Sequence, residues 1–154
     1  MQSNRKGYRG YICARMGGGR SAPQHLQQLV MRDYCAKKNL EYLLAATEYC
    51  MPGCTMMLDA VMDELDHIEG IVMYSLYLLP ESREKRMELY RRLFAKGCSL
   101  HMAAEGIVVR SREDARRMED IFLVKEAIDE QDTGGIAWLA EWDAQGDAKN
   151  HAGN

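Results

Sequence analysis

Short runs of strand formers alternate with helical periods along this chain, and that alternation constrains its fold more than any other feature. Tyr8 to Ala14 (YRGYICA) is rich in strand formers, and Gly17, Gly18 and Gly19 then interrupt the chain. Ser21 followed by Gln24 has the form of a capping box, and Pro23 suits a first helical turn because the N–H it lacks would be unpaired there anyway. Leu26, Leu29, Val30 and Tyr34 keep helical spacing as far as Asn39. A second strand at Tyr42 to Ala46 precedes a helix at Thr55 to Leu65. The near-continuous apolar run Gly70 to Tyr77 has the pattern of a strand covered on both faces. It precedes a helix from Glu81 to Lys96 that stops at Gly97. Leu100 to Ala104 is a fourth strand, and Ser111 with Asp114 caps a last helix reaching about Asp129. Parallel neighbours need connections of about a dozen residues. Four such units in succession therefore predict an α/β fold, a parallel four- to five-stranded sheet with helices on both faces, in a flavodoxin-like three-layer sandwich.

The composition changes at Gln131. Residues 1–130 are expected to form a single α/β domain and 131–154 a polar C-terminal tail, in which Ile136 to Trp142 makes a short helix carrying Trp138 and Trp142. With 47% apolar and 28% charged residues, the chain can build a core without metal or disulfide staples. Its net charge of −3 and pI near 5.8 speak against a dedicated binder of nucleic acid or anionic membranes. The longest apolar run, Gly70 to Leu79, is about half the length of a membrane-spanning helix. No apolar stretch of signal-peptide length precedes the glycines, so a cytoplasmic location is expected. The cysteines are Cys13, Cys35, Cys50, Cys54 and Cys98. They are odd in number, lack the spacing of a disulfide framework and suit reduced thiols. Ligand spacings such as HExxH are missing, and neither a metal nor a cofactor is expected.

In open parallel sheets, ligands bind outside the carboxyl ends of the strands. That rule nominates Arg15, Gly17, Gly18, Gly19, Arg20 and Ser21 after the first strand. Glycines let the backbone approach a ligand closely, a helix N-terminus presents free N–H groups, and two arginines add charge, so the turn suits an anion. Gly17-x-Gly19-x-x-Ala22 fits the dinucleotide fingerprint formally, but the acidic residue that should follow falls near Glu41, at the start of the second strand and not its end. At the same edge the topology places Glu48, His101 and Glu105, the residue types that acid–base catalysis uses, with Tyr49, Ser75 and Tyr77 as substrate contacts. Plainer roles fit the same residues: His101 as a hydrogen-bonded core histidine, Glu48 as a carboxylate paired with Arg15 or Arg20. Ser75 lies inside a strand-like run and not on a nucleophile elbow.

Over roughly residues 8–128 the order of elements resembles the catalytic domain of serine recombinases (resolvases). Tyr11 to Gly17 stands where that family has Tyr-x-Arg-x-Ser, and Ile71 to Glu81 stands where it has an apolar strand ending Leu-Asp-Arg-Leu-x-Arg. Matching Arg15 to the family's arginine puts Gly17 at the nucleophilic serine. Matching Leu76 to the first leucine puts Tyr77 at Asp, Leu78 at the first Arg and Glu81 at the second. The resemblance therefore implies a resolvase-like fold without the DNA recombinase's chemistry.

Phrases such as Gly7-Tyr8-Arg9-Gly10-Tyr11-Ile12, Arg32-Asp33-Tyr34-Cys35, Ala46-Thr47-Glu48-Tyr49 and Met51-Pro52-Gly53-Cys54 are similar to the bacterial sporadic carbohydrate cluster proteins. That resemblance implies a setting in surface-carbohydrate biosynthesis. Together these features lead to the expectation of a small cytoplasmic enzyme, acting as an isomerase, epimerase or lyase on an anionic sugar or sugar nucleotide. No nucleic-acid partner, no membrane partner and a homo-oligomer, a dimer, are expected. The alternative is a non-catalytic, recombinase-like binding or assembly module that has lost its serine.

Overall fold

The computed structural model describes residues 4–13, 22–49, 51 and 53–130. The chain divides into two compact units, Met1–Ala115 and Arg116–Asn154. The first holds β1 (Tyr8–Cys13), α1 (Gln24–Lys37), β2 (Tyr42–Glu48), α2 (Met56–Met62), β3 (Gly70–Met73), α3 (Arg83–Ala95), β4 (Ser99–Met102) and β5 (Ile107–Val109). A further helix, α4, covers 112–130 and provides the described part of the second unit.

The five strands form one sheet in the order β2-β1-β3-β4-β5. The first four are parallel, whereas β5 runs antiparallel to β4, pairing Leu100 with Val109 and Met102 with Ile107. The expectation of a purely parallel sheet is corrected here: the sheet is mixed. Between β4 and β5 lies only the turn 103–106, with Gly106 at φ 68°. So short a link reverses the chain and cannot carry a parallel crossover.

Successive strand residues point to opposite faces. Ile12 and Val72 pack with Met31, Tyr34 and Cys35 of α1 on one face. Tyr11, the neighbour of Ile12, reaches Glu48, which in turn holds the first turn of α2. Helices α1 and α2 thus cover opposite faces. Gly70 lies on β3 where an added Cβ would come within 2.2 Å of the Ser99 carbonyl oxygen on β4. The strands can pair there because position 70 carries no side chain.

The strand expected over Gly70 to Tyr77 ends at Met73. Leu76–Leu78 forms one 3₁₀ turn instead, with Ser75 as its cap and Leu76 and Leu78 still buried. α1 starts at Gln24 after Pro23, without a side-chain cap. Its end is set by Asn39 at φ 55°, and Gly97 at φ 64° closes α3, both in the left-handed region that helix C-termini use. The Ser111 hydroxyl accepts from the Asp114 N–H while the Asp114 carboxylate accepts from the Arg110 N–H, a reciprocal cap for α4. No helix among the described residues is long and apolar enough to cross a membrane.

Candidate functional site

Cys13 and Glu48 are register partners at the carboxyl ends of β1 and β2. The two strands therefore end side by side at Cys13 and Glu48. Glu48 is 3% exposed and accepts hydrogen bonds from five donors. The Tyr11 hydroxyl donates at 2.9 Å, the Tyr49 N–H at 3.2 Å and the Cys54 thiol at 3.3 Å. The Met57 N–H lies 3.1 Å from both carboxylate oxygens and the Leu58 N–H 3.1 Å from one. Burial alone would push this carboxylate's pKa up. The Met57 and Leu58 N–H groups, the Tyr11 hydroxyl and the Cys54 thiol outweigh burial and hold it below the ordinary value. Burial and the same carboxylate push the Tyr11 phenol up. Glu48 thus caps α2 and anchors the loop before it.

Past β3, the Ser75 hydroxyl donates to Glu105 at 2.5 Å, and the Leu76 N–H donates to the other Glu105 oxygen at 3.2 Å. Ser75 accepts in turn from the Tyr77 N–H at 3.3 Å. These bonds turn the chain out of the strand and tie it to the β4–β5 turn. Ser75 is buried, Glu105 exposed and Tyr77 half-buried. Tyr49 stands out at 55% exposure.

His101 is 2% exposed within β4. Its Nδ1 lies 2.7 Å from the Tyr34 hydroxyl of α1 and its Nε2 3.0 Å from the Ser99 hydroxyl. The rings of Tyr8 and Tyr34 meet it edge-on. Burial, with lesser repulsion from Arg110 and Lys38, pushes its pKa down to about 4, so the ring is neutral. It faces α1, whereas Glu48 faces α2. The sheet separates the two, and Glu48, His101 and Glu105 belong to three distinct hydrogen-bond systems.

Arg15, Gly17, Gly18, Gly19, Arg20 and Ser21 lie outside the described residues. The residues flanking them do not. Gln27 of α1, fully buried, donates through Nε2 to the carbonyls of Cys13 and Ala22 at 2.7 Å each, while its Oε1 accepts from the Cys13 N–H at 3.3 Å. One side chain thus clasps both ends of the glycine–arginine segment. Helical spacing places Gln27 between Ala22 and Met31, but sequence reading passed over it because a glutamine in an exposed-looking run carries no signature. A groove of about 340 Å³ between α2 and α3, floored by Leu58, Met62 and Leu89, contains none of the expected site residues. Among the described residues no group of three His, Cys, Asp or Glu side chains could hold a metal ion.

The α/β fold is resolvase-like. The N-terminal catalytic domain of TP901-1 integrase superposes with a TM-score of 0.54 at 14% identity, covering 80% of this chain and 98% of that one. A resolvase family site-specific recombinase from Streptococcus pneumoniae superposes with a TM-score of 0.56 at 13% identity, covering 87% of this chain and 99% of that one. No protein-family model and no curated protein matches the sequence. The carbohydrate-cluster resemblance therefore gains no support, while the resolvase-like topology does.

These neighbours correct the functional expectations. The reading as a carbohydrate-biosynthesis isomerase, epimerase or lyase acting on an anionic sugar or sugar nucleotide is overturned, because the fold is that of integrase and recombinase domains. Ruling out a DNA recombinase and a nucleic-acid partner falls for the same reason. A net charge of −3 does not exclude such a partner, because it says nothing about where the arginines lie.

Proposed function

We propose that this chain is a recombinase-like module that binds the DNA backbone as a dimer, with the carboxyl edge of β1, β2 and β3 as the phosphate-facing side. The resolvase-type architecture, shared across most of the chain, is the observation that carries this reading. In support, Arg15 and Arg20 stand in the segment after β1, where charged guanidinium groups and glycine N–H groups suit a phosphate. On α4, Ile121, Val124 and Ile128 recur at helical i, i+3, i+7 spacing and are exposed, as a helix that pairs with a second copy requires. A cytoplasmic location belongs to the same reading, and among the described residues Cys35, Cys54 and Cys98 are reduced thiols.

Fluorescence anisotropy with a labelled duplex over a salt series tests the proposal. Affinity should fall linearly in log–log form, and Arg15→Ala and Arg20→Ala should each reduce the slope by about 1. A duplex that fails to bind at low salt refutes it.

A further inference from the structure

β2 is seven residues long and lies at one edge of the sheet, paired on its inner side with β1. Among the described residues no strand meets its outer side. Proteins blunt such edges with short strands, lysine, proline or inward-pointing charges. The opposite edge, β5, is three residues long. β2 has none of these devices: its sequence YLLAATE is free of proline and uncharged from Tyr42 to Thr47. The Glu48 carboxylate at its end is taken by Tyr11 of β1 and the first turn of α2. Leu43 packs against Gly7, Ala45 joins the core under α1, and Ala46 is buried. Leu44 between them is 78% exposed, the most exposed large apolar side chain among the described residues. Tyr8 pairs with Tyr42 but Gly10 with Ala45, so β2 carries one extra residue here, and such a bulge re-aims a side chain. From Ala45 to Glu48 the register with β1 is regular again.

We propose that the outer edge of β2 pairs antiparallel with the same edge of a second copy of this chain, Leu44 facing Leu44 across a two-fold axis. The pairing does not depend on the DNA reading above. In this register Tyr42 stands opposite Ala46, Leu43 opposite Ala45 and Glu41 opposite Thr47, so no like charges meet. A two-fold interface must be self-complementary, and an uncharged strand edge is. Symmetry also gives the exposed Leu44 an apolar partner, which an arbitrary extended peptide would not. Recognition of a particular peptide further calls for side-chain pockets beside the edge, and the groove between α2 and α3 contains no β2 residue. One strand edge supplies less than the roughly 800 Å² per partner of a standard interface, so the association is reversible and follows concentration.

Sedimentation velocity on the full chain over a dilution series reads the mass. Leu44→Lys should halve it at high concentration, from tetramer to dimer if α4 also pairs copies and from dimer to monomer if it does not. Leu44→Cys, incubated with oxidised glutathione beside the unsubstituted chain, should form a covalent dimer whose joined peptides both contain position 44. Two thiols are oxidised to one disulfide there, and the glutathione disulfide is reduced to two thiols. A disulfide needs Cα atoms within about 7 Å. Thr47 lies about 20 Å from Thr47 of the second copy in this register, so Thr47→Cys should not cross-link. A mass that Leu44→Lys leaves unchanged overturns this pairing alone, as does cross-linking no faster at position 44 than at 47. An unsubstituted chain that stays monomeric at every concentration overturns the β2 and α4 pairings alike, and duplex binding remains a separate measurement. Leu44 is exposed, so its variants should melt with the unsubstituted chain.

Discussion

The Tyr11 hydroxyl of β1 donates to the Glu48 carboxylate of β2 at 2.9 Å, and that carboxylate is at the same time the N-terminal cap of α2. One side chain therefore joins two adjacent strands to the helix above them. Replacing Glu48 by Ala leaves the Tyr11 hydroxyl and the N–H groups of Met57 and Leu58 without their partner. The expected loss is about 3 kcal/mol or more in urea unfolding, since each buried donor left unpaired costs about 1–3 kcal/mol. Glu48→Gln, which keeps an acceptor oxygen but not the charge, should lose about half as much. Tyr11→Phe removes a single donor and should cost about 1 kcal/mol.

The same carboxylate sets an acid limit. Its folded pKa lies below the unfolded value of 4.5, so its contribution is fully present above about pH 4.5 and is lost as pH falls through the folded value. Unfolding free energies measured between pH 6 and pH 3 should drop less steeply in Glu48→Gln below pH 4.5. An unchanged slope there would remove Glu48 from the acid response.

His101 titrates in a different window. Its folded pKa is about 4, against 6.5 when free, so the unfolded chain takes up a proton first as pH falls. Stability should be at its full value above pH 6.5 and decline between 6.5 and 4, by about 3 kcal/mol in total at about 1.4 kcal/mol per pH unit. Urea midpoints at half-unit steps check this. His101→Gln should flatten the profile between pH 6.5 and 4.5, although it starts lower because the Tyr34 and Ser99 hydroxyls lose a well-placed partner.

Periodicity made the parallel core legible: β1 to β4 and the three helices between them lie within a few residues of where apolar spacing put them. It failed where hydrogen bonding, not burial, decides conformation. Leu76 and Leu78 are buried in a 3₁₀ turn as they would be in a strand, and what distinguishes the two is the hydrogen bonding: Leu78 and Leu79 N–H donate back to the Ser75 and Leu76 carbonyls, and Ser75 holds Glu105. Likewise, Ile107–Val109 is too short to carry a period, and its antiparallel direction follows from a turn of four residues around Gly106. For the site, topology correctly brought Glu48 to the carboxyl edge of the sheet. It could not reveal that Glu48 and His101 face opposite sides, because a one-residue change of phase along a strand exchanges the faces.

Gly70 gives a test of the sheet itself. A methyl group there would sit 2.2 Å from the Ser99 carbonyl and 2.8 Å from the Tyr8 ring, and the first of these is backbone that cannot rotate away. Gly70→Ala should therefore destabilise the chain by about 2–3 kcal/mol, as overpacking does, whereas Gly53→Ala, with open space around it but φ 71°, should cost only about 1 kcal/mol. Thermal melts of the two variants side by side distinguish a steric effect from a conformational one.

Gln27 links stability to the proposed function most directly. Its amide spans Cys13 and Ala22, the residues on either side of the segment carrying Arg15 and Arg20. Gln27→Ala removes three hydrogen bonds to Cys13 and Ala22 at a buried position, an expected cost of about 2–3 kcal/mol. Gln27→Glu should be worse, because it replaces the donor to both carbonyls with a buried charge. Both variants should also weaken duplex binding by more than any global unfolding explains, since the arginine-bearing segment loses the clasp that fixes its ends. The comparison is made at a temperature where circular dichroism shows each variant folded. Duplex affinity equal to that of the unsubstituted chain would mean that the segment between Cys13 and Ala22 needs no anchoring to meet DNA.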